Sequence, residues 1–425
     1  MRTHRALVFV VPWEDPKLDW LLAEFRLIVN KSIRIAVRDN IRSRFRLATL
    51  AYGDLSREHQ VYKQYIPTAF EVALGALKIH RRRLQKGKAS HVPFFRRPLL
   101  KAENQSYRID RGTGRLRVPI RSHEYVEIDL PMANWHRRFL DDPDWALGSL
   151  TVIPGKVILV VRKIAQKPYE PEAAVALDTN EDSLDGVSGN NGGSQLLTVS
   201  LLGVRSIRST HFRRRRKLAR KKMYDRRVAQ RLLDREGRRE RHRVRQRLHL
   251  ASKALVQYAK EGRAAIVIED LKLHGAKGRS RRVNRRLSSW PRREIHRQIE
   301  YKAALAGVPL IKVNPAWTSK TCPVCGARRR DRVGKDFVCL ACDWEMDRQI
   351  NAGLNILKTA LASNEALARA VRFQPGALRH DVVSPLYDLL RQGRGAREEP
   401  SGVELVASKE LPTELGACDD KTNCL

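Results

Sequence analysis

Apolar residues recur at helical spacing near the N-terminus. After a short apolar strand at residues 6–12, two stretches at residues 17–50 and 56–84 carry one apolar face and one face rich in arginine and lysine. This pattern predicts a helical lobe at residues 13–86, whose basic face either is simply solvated or grips a phosphate backbone. The second stretch ends in a basic cluster, which consists of His80, Arg81, Arg82 and Arg83.

The pattern changes to short apolar segments between residues 87 and 170. Turns containing glycine or proline separate these segments, and arginines alternate with apolar positions, as in an antiparallel barrel or sandwich. Such a surface either holds nucleic acid through phosphate contacts and stacking or is an ordinary half-buried sheet. We predict a β-barrel domain from residues 1–12 and 87–170, with the helical lobe inserted into it.

Two apolar strands in the second half of the chain end in a carboxylate. One strand runs into Asp178 and the other into Glu269. Strand alternation sends Glu269 and Asp270 to opposite sides, so only one of them faces the same side of the sheet as Asp178. A further strand is predicted at residues 196–202, with the glycine- and asparagine-rich residues 186–193 as the preceding turn.

Residues 205–260, between the two acid-tipped strands, predict a long helical region of extreme basicity. This region is either a solvated face or a surface that follows a phosphate backbone. The densest cluster of positive charge in it consists of Arg213, Arg214, Arg215, Arg216 and Lys217.

Charge decides which class of partner to expect. The chain has 83 Lys and Arg against 46 Asp and Glu, a formal net charge of +37 over 425 residues. A field of this size and sign favours a polyanion such as nucleic acid. No run of about 18 apolar residues is available to span a membrane, and the sequence therefore predicts a cytoplasmic, nucleoid-associated protein without a membrane partner.

Four cysteines form two C-x-x-C pairs, a spacing that predicts a structural zinc site. The pairs are Cys322 with Cys325 and Cys339 with Cys342, and 13 residues separate them. Disulfides are the alternative, but a reducing compartment favours the metal. We therefore expect a zinc ribbon at residues 318–345.

The C-terminal residues 392–425 are polar and acidic and predict a disordered tail. Two further cysteines, Cys418 and Cys424, lie in this tail. A metal or disulfide role for them stays open beside the simpler interpretation as incidental thiols.

A third acid, Asp347, follows the last zinc-ribbon cysteine by five residues and opens a helical pattern. Hydrolysis of a phosphodiester by the two-metal route needs several carboxylates around a pair of Mg²⁺ ions about 4 Å apart. Asp178, Glu269 and Asp347 are the predicted ligands and catalytic residues. Asp347 has an alternative role as an N-cap that accepts backbone N–H groups.

The combination of these motifs resembles the TnpB (OrfB) family of insertion-sequence proteins, which are RNA-guided endonucleases related to the compact type V CRISPR effectors. The similarity covers residues 172–360, about half of the chain, in the order typical of the family. The segments that carry it are V-A-L-D-T-N-E ending at Glu181, I-V-I-E-D-L ending at Leu271, I-E-Y-K ending at Lys302, P-A-W-T-S ending at Ser319, the four cysteines, and D-R-Q-I-N-A-G-L-N-I ending at Ile356.

The resemblance implies an α/β RNase H-like (RuvC-type) nuclease domain at residues 171–317 and 346–391, interrupted by the zinc ribbon. It also implies an N-terminal β-barrel wedge domain with a helical recognition insertion, a guide RNA transcribed from the end of the element, and double-stranded target DNA recognised beside a short motif. Zn²⁺ would be structural and Mg²⁺ catalytic. The oligomeric state stays open.

The third motif departs from the family pattern at one position. Many members read D-R-D-x-N there, and the second aspartate is the usual metal ligand, whereas this chain has Gln349. A neutral amide offers a carbonyl oxygen but no charge, and is a poorer Mg²⁺ ligand. Asp347 as ligand predicts an active nuclease; Asp347 as a cap alone predicts a nuclease-weak or nuclease-dead RNA-guided DNA-binding protein.

Overall fold

The described residues of the N-terminal half form seven strands and four helices around one hydrophobic core. The structure, a computed structural model, describes residues 2–12, 15–271, 280, 284–285, 290–328, 330–331, 335–378 and 383–385. The strands of this half are β1 (Arg2–Val10), β2 (Leu100–Ala102), β3 (Arg108–Ile109), β4 (Arg115–Arg121), β5 (Glu124–Asp129), β6 (Ala146–Ile153) and β7 (Lys156–Ile164). The helices are α1 (Pro16–Arg38), α2 (Arg44–Glu58), α3 (Tyr65–Gln85) and α4 (Asn134–Leu140).

The seven strands form two antiparallel sheets. One has the order β1-β7-β6-β2 and the other the order β3-β4-β5. Strand β1 pairs with β7 over its whole length, from Arg2 opposite Ile164 to Val10 opposite Lys156. The first strand therefore belongs to the later sheet, with α1 to α3 inserted between β1 and β2. No strand pairing in the described residues joins the two sheets, so a closed barrel stays a prediction.

Three helices replace the two helical stretches predicted for the lobe. The first stretch is broken after Arg38, where Asp39 caps α1 and Asn40 adopts a positive φ of 47°. Asparagine tolerates this left-handed conformation better than most residues, so it ends a helix whose apolar periodicity continues beyond it. Helix α2 then extends to Glu58, further than the periodicity indicated.

The second half of the chain builds a mixed sheet with helices on both faces. Its strands are β8 (Ala173–Thr179), β9 (Ser183–Asn190), β10 (Gly193–Ser200), β11 (Ala264–Glu269), β12 (Leu310–Val313), then β13 (Arg330–Asp331), β14 (Asp336–Cys339) and β15 (Glu345–Asp347) of a small separate sheet, and β16 (Val383–Pro385). Its helices are α5 (Val204–Arg220), α6 (Arg226–Glu261), α7 (Arg292–Ala306), α8 (Arg348–Ser363) and α9 (Glu365–Ala370).

The strand order of the large sheet is β12-β11-β8-β9-β10-β16. Strands β8, β11 and β12 run parallel, whereas β9 is antiparallel to both β8 and β10. Apolar residues of α6 and α7 pack on one face of the sheet, and those of α8 and α9 pack on the other. The carboxylates that interest us lie on the α8 face.

The prediction that residues 186–193 form only a turn is wrong. Residues 183–190 form β9, and the turn is confined to Asn191 and Gly192. The glycines of this strand serve close packing rather than turning, because a Cβ on Gly186 would lie 2.0 Å from the carbonyl oxygen of Ala176. A Cβ on Gly353 of α8 would lie 2.4 Å from the Gly186 Cα, so Gly353 lets the helix approach the sheet directly.

The predicted basic region at residues 205–260 is a helical hairpin, not one continuous helix. Helix α5 ends in a short 3₁₀ turn at Lys221–Met223, and Asp225 then caps α6 by accepting from the backbone N–H groups of Arg227 and Val228. None of the described helices is both long and apolar enough to cross a membrane. The predicted tail at residues 392–425, with Cys418 and Cys424, lies outside the described residues.

Candidate functional site

Three carboxylates lie side by side on adjacent strands of the large sheet. Asp178 of β8 is paired directly with Asp185 of β9. On the other side of β8, Leu177 is paired with Ile268 of β11, so Glu269 follows at the level of Asp178. Strand order therefore places the acids in the row Glu269, Asp178, Asp185, which we call the carboxylate row.

All three acids project from the same face of the sheet. Residues two positions away along β8 and β11, Ala176 and Val267, belong to the core beneath α8. Val187, two positions beyond Asp185 on β9, belongs to the same core. Because side chains of a strand alternate between faces, the carboxylate row also faces the α8 side. The predicted convergence of Asp178 and Glu269 on one side of the sheet agrees with this register.

The middle carboxylate of the row is disfavoured as an anion. Burial, together with the neighbouring carboxylates of Glu269 and Asp185, raises the pKa of Asp178 to about 7. The backbone N–H of Thr179 donates to the Asp178 carboxylate and opposes this shift, as does the more distant charge of Arg348. Negative charge therefore exceeds nearby positive charge at this point, which is where a cation would be stabilised.

Glu269 receives a hydrogen bond from the segment that leads into the zinc ribbon. The hydroxyl of Thr318 donates to its Oε1 at 2.7 Å, and both side chains are buried. Burial raises the pKa of Glu269, against the opposing influence of this hydrogen bond and of the Arg292 guanidinium. Arg292 Nε is buried without a hydrogen-bond partner in the described part of the chain. Thr318 thus orients the Glu269 carboxylate.

Asp185 is a site residue that the sequence analysis missed. Its Oδ1 accepts from the Thr198 hydroxyl at 2.9 Å, and its Oδ2 accepts from the Asn180 amide and the Ser183 hydroxyl. Burial raises its pKa, and the charge of Asp347 raises it further. Strand alternation would have revealed Asp185 only if residues 183–190 had been recognised as a strand.

Asp347 lies where the ribbon ends and α8 begins. It pairs with Asp336 as the last residue of β15, and its Oδ1 accepts from the backbone N–H groups of Gln349 at 2.7 Å and Ile350 at 3.4 Å. The N-cap role that we weighed for Asp347 is therefore present in the structure. Its charge acts on Asp185, which connects it electrostatically to the end of the carboxylate row.

The carboxylates share one face but not a single tight cluster. Within the described residues, no three acidic groups have ligand oxygens that all lie within 4.8 Å of one another. The donor set nevertheless suits Mg²⁺, because buried carboxylate oxygens in excess of neighbouring cations are the ligands that this ion prefers. Two ions about 4 Å apart need carboxylates spread over a wider region than a single ion does, so the absence of one tight acidic cluster among the described residues is compatible with a two-metal site.

The four predicted zinc-ribbon cysteines do form a tight cluster. All four Sγ atoms lie within 4.8 Å of one another. Cys322 Sγ lies 3.6 Å from Cys342 Sγ, and Cys325 Sγ lies 3.5 Å from Cys339 Sγ. A tetrahedral Zn²⁺ with bonds of about 2.3 Å requires sulfur separations of roughly 3.8 Å. The backbone N–H of Ala327 helps to lower the pKa of Cys325 to about 7, which favours the thiolate that zinc binds.

Two asparagines of α8 attach the segment that leads into the first cysteine pair to this helix. The Asn355 amide donates to the carbonyl oxygens of Thr318 at 2.9 Å and Thr321 at 2.7 Å, and Asn351 donates to Thr321 at 3.1 Å. Lys358 adds a bond of 3.0 Å to the carbonyl of Pro323. The spacing of four between the asparagines places both on one helix face, so the motif holds the ribbon against α8.

The basic side chains predicted to bind nucleic acid lie on helices. Arg81, in the last turns of α3, donates to the Ile41 carbonyl at 3.1 Å and is half-buried, whereas Arg82 and Arg83 are exposed. On α5, Arg215 is paired with Glu240 of α6 and Arg214 lies 3.8 Å from Glu236. The remaining members of the α5 cluster, Arg213, Arg216 and Lys217, are exposed.

Comparison with known proteins covers both halves of the chain. The family model described as "Cas12f1-like, TNB domain" matches residues 293–356. A TnpB-like protein of Methanocaldococcus jannaschii is 25% identical over 252 residues, which are 57% of this chain and 90% of that protein. The resemblance to the TnpB family is confirmed.

The relation extends to the compact type V effectors. The CRISPR-associated endodeoxyribonuclease Cas12f1 of Sulfoacidibacillus thermotolerans is 36% identical over 111 residues, 25% of each chain. Among solved structures, the cryo-EM structure of a Cas12f1–sgRNA–target DNA complex aligns with a TM-score of 0.57 and 14% identity, covering 80% of this chain and 81% of that one. CasPhi-2 (Cas12j) bound to crRNA aligns with a TM-score of 0.52 and 12% identity, covering 88% and 99%.

The structural likenesses concern the fold. They support the RuvC-like α/β architecture that we predicted for the TnpB-like half, with its cluster of four cysteines.

Proposed function

We propose that this chain is an RNA-guided DNA endonuclease that hydrolyses phosphodiesters of its target at the carboxylate row. The observation that carries the proposal is the placement of Glu269, Asp178 and Asp185 on neighbouring strands of one sheet face. The charge of Asp347 acts on Asp185, at the end of the row. A fold shared with compact effectors and a net charge of +37 support the same conclusion.

The proposed partners are a guide RNA from the end of the element and double-stranded target DNA. A relative at 36% identity is named as a CRISPR-associated endodeoxyribonuclease, and a chain of similar fold was solved with sgRNA and target DNA. The Arg-rich hairpin of α5 and α6 and the basic end of α3 supply positive charge for phosphate backbones. Base pairing with the guide would then select the target.

Within this mechanism, Asp178, Glu269 and Asp347 are the proposed ligands for Mg²⁺, and Asp185 adds a fourth carboxylate. Bound there, divalent cations would supply the charge that activates a water molecule and stabilises the leaving oxygen. Asp178 lies in the middle of the row, and bound cations would favour its ionised form by compensating its charge. Thr318 fixes the orientation of Glu269, and Asn351 and Asn355 keep the Thr318 segment in place through Thr321.

The deciding experiment loads the protein with the small RNA that co-purifies and adds a matched plasmid with Mg²⁺. We expect cleavage of the matched plasmid, none of a plasmid lacking the target, and a loss of at least about 10³-fold on Asp178→Ala. RNA binding should change less than about twofold, since one carboxylate contributes little to an interface dominated by phosphate contacts. Tight target binding without cleavage by the wild-type protein would contradict the endonuclease proposal.

A second candidate function is RNA-guided DNA binding with weak or absent cleavage. Two observations favour it: Gln349 stands where many relatives carry a ligand aspartate, and Asp347 Oδ1 is engaged in capping α8. Under this function Gln349→Asp should create or strengthen cleavage of the matched plasmid. If Gln349→Asp leaves a high wild-type rate unchanged, the third motif is already sufficient and the second candidate fails.

A further inference from the structure

Trp317 has an unusual backbone conformation beside the carboxylate row. Its φ is +70°, in the left-handed region that bulky residues rarely occupy. Its carbonyl oxygen accepts from the backbone N–H groups of Lys320 at 2.9 Å and Thr321 at 3.1 Å, and from the Thr321 hydroxyl at 3.1 Å. Such conformations persist where surrounding contacts enforce them, and they cluster at functional sites.

This conformation sends two adjacent side chains in different directions. Thr318 is 6% exposed and donates its hydroxyl to Glu269, whereas the next-door indole of Trp317 is 51% exposed. A large aromatic side chain therefore stands at the surface, one residue from a group that contacts the carboxylate row. Ordinary ribbon packing would favour burial of such a ring, and it does not explain the exposure.

Two cations lie over the Trp317 ring. The Arg328 guanidinium carbon is 4.6 Å from the ring centroid and the Lys320 ammonium nitrogen is 5.0 Å from it. An exposed ring beside Arg and Lys is the combination with which proteins bind single strands, through base stacking and phosphate contacts.

We propose that Trp317 is a stacking platform for an unpaired nucleobase of the DNA strand that is delivered to the carboxylate row. Lys320 and Arg328 would contact the phosphates that flank this base. The identity of the ligand as single-stranded DNA rests on the proposed function. Trp317 is thus a positioning residue, acting on the strand next to the scissile phosphate and not on the phosphate itself.

A single strand fits this platform and an intact duplex does not. The bases of a duplex are stacked on one another, and their faces become available to a protein ring only after unpairing. The ring is carried by a backbone that hydrogen bonds hold to α8, through the Asn355 contact to Thr318. A base stacked there would be fixed relative to Glu269, because Thr318 links the two directly.

The test uses photocrosslinking, because a chain of this charge binds oligonucleotides at many places. The full-length protein, without guide RNA or Mg²⁺, is irradiated with a short single strand that contains 5-iodo-deoxyuridine, in salt high enough to suppress ionic binding. We expect mass spectrometry to find the crosslink on the tryptic peptide of residues 313–320. The same sequence in a duplex should give little of this product, and equal yields from duplex and single strand would overturn the proposal.

Three variants distinguish the contribution of the Trp317 ring to binding from that of its backbone conformation. Trp317→Tyr keeps an aromatic face and should retain the crosslink, whereas Trp317→Leu should lose it together with on the order of 10-fold in affinity for the single strand. Trp317→Asn suits the positive φ but has no ring, and should behave as Trp317→Leu does. Equal losses in Tyr and Leu variants, or wild-type binding by the Asn variant, would overturn the stacking role.

Folding and specificity need two controls. Zinc content of one per chain shows that the ribbon of each variant is formed. Trp135→Leu removes another half-exposed indole, on α4, and should leave the crosslink at residues 313–320 unchanged; an equal loss there would overturn the assignment to Trp317. Since no guide or Mg²⁺ is present, a failure of target cleavage and a failure of this stacking are observed separately.

Discussion

The zinc ribbon and the carboxylate row are two metal-type sites of opposite construction. The four ribbon cysteines come from 21 consecutive residues, 322–342, and their sulfurs lie within 4.8 Å of one another. The three acids of the row come from three strands, and Asp347 is a helix cap; these acids are spread over residues 178–347, and no three of the described acidic groups reach that spacing. Local chain geometry alone closes the first site, whereas sheet pairing and helix packing assemble the second.

This difference teaches what each site needs in order to exist. A closed thiolate site gains its stability from the metal that it encloses, and folding and binding are the same event. The carboxylate row is held by the sheet whether or not cations are present, at the cost of burying like charges together. We therefore expect the ribbon to unfold when its metal is removed. Removing charge from the row, in contrast, should raise the free energy of unfolding.

Loss of zinc gives the largest expected effect. Cys322→Ser should abolish zinc binding and unfold the ribbon, since structural zinc contributes about 10–16 kcal/mol in comparable small sites. Zinc content by elemental analysis and proteolytic cutting near residues 318–345 measure the outcome. Cys418→Ser, a thiol outside the ribbon, should keep one zinc per chain. A zinc-free but protease-resistant ribbon would break the comparison.

The pH dependence of the row should have the opposite sign from that of an ordinary surface aspartate. Because the pKa of Asp178 is raised to about 7 from about 4 in the unfolded chain, the folded state holds its proton more tightly. Stability from this group is complete below about pH 4 and is lost as pH rises through 7, by up to about 4 kcal/mol.

Chemical denaturation between pH 5 and 8, with zinc retained and no Mg²⁺ added, measures this effect. Asp178→Asn should flatten the profile, and added Mg²⁺ should restore stability at high pH. A wild-type protein whose stability falls no more between pH 5 and 7 than that of Asp178→Asn would contradict the raised pKa of this buried carboxyl group.

Asp185→Asn tests whether the acid that strand pairing revealed belongs to the metal site. Neutralising it should weaken Mn²⁺ binding at the row by about 10- to 100-fold, the range found for groups that ligate or orient ligands. Asn keeps the oxygen that accepts from Thr198. Titration followed by electron paramagnetic resonance measures the affinity.

Asp182→Asn is the matched control for Asp185→Asn. Asp182 is exposed in the preceding turn, where it accepts from the backbone N–H of Arg205. Its neutralisation should leave Mn²⁺ affinity unchanged. Similar losses in both variants would mean that general charge, not ligation by Asp185, governs binding.

The smallest expected effect separates the two roles of Asp347. Asp347→Asn keeps a capping oxygen but removes the charge, whereas Asp347→Ala removes both and should lower stability by about 1 kcal/mol. If Asp347 is a ligand, both variants should lose cleavage. If it is a cap alone, Asp347→Asn should cleave as the wild type does, and thermal unfolding should then show a loss only in Asp347→Ala.

The contrast between a site built from nearby residues and a site built by strand pairing also explains how well the sequence predicts each one. The cysteine spacing predicted the tight cluster because all of its determinants are local. The strands ending in Asp178 and Glu269 were predicted because uninterrupted apolar runs mark buried strands. Strand β9 was missed because Gly, Ser and Asp are poor strand formers, and because its close packing depends on Gly353 of α8, which is distant in the sequence. Because β9 was missed, Asp185 was missed as well.

The N-terminal half shows a further limit. Apolar periodicity predicted helices in the lobe, but the break at Asn40 interrupts a pattern that continues on both sides. Short apolar segments predicted strands after residue 87, in a barrel or a sandwich, without indicating which strands pair in each of the two sheets. Pairing partners are long-range properties, and no local pattern specifies them.

The ribbon contacts one end of the carboxylate row through the hydrogen bond from Thr318 to Glu269, and at the other end the charge of Asp347, the last residue of β15, acts on Asp185. Under the proposed function, Zn²⁺ at the ribbon and Mg²⁺ at the row would therefore be linked ligands of one protein. Thermodynamic linkage is reciprocal: if zinc binding raises the affinity of the row for Mg²⁺, Mg²⁺ binding raises the affinity of the ribbon for zinc by the same factor. With such coupling, a protein that has lost one of the two metals would bind the other more weakly.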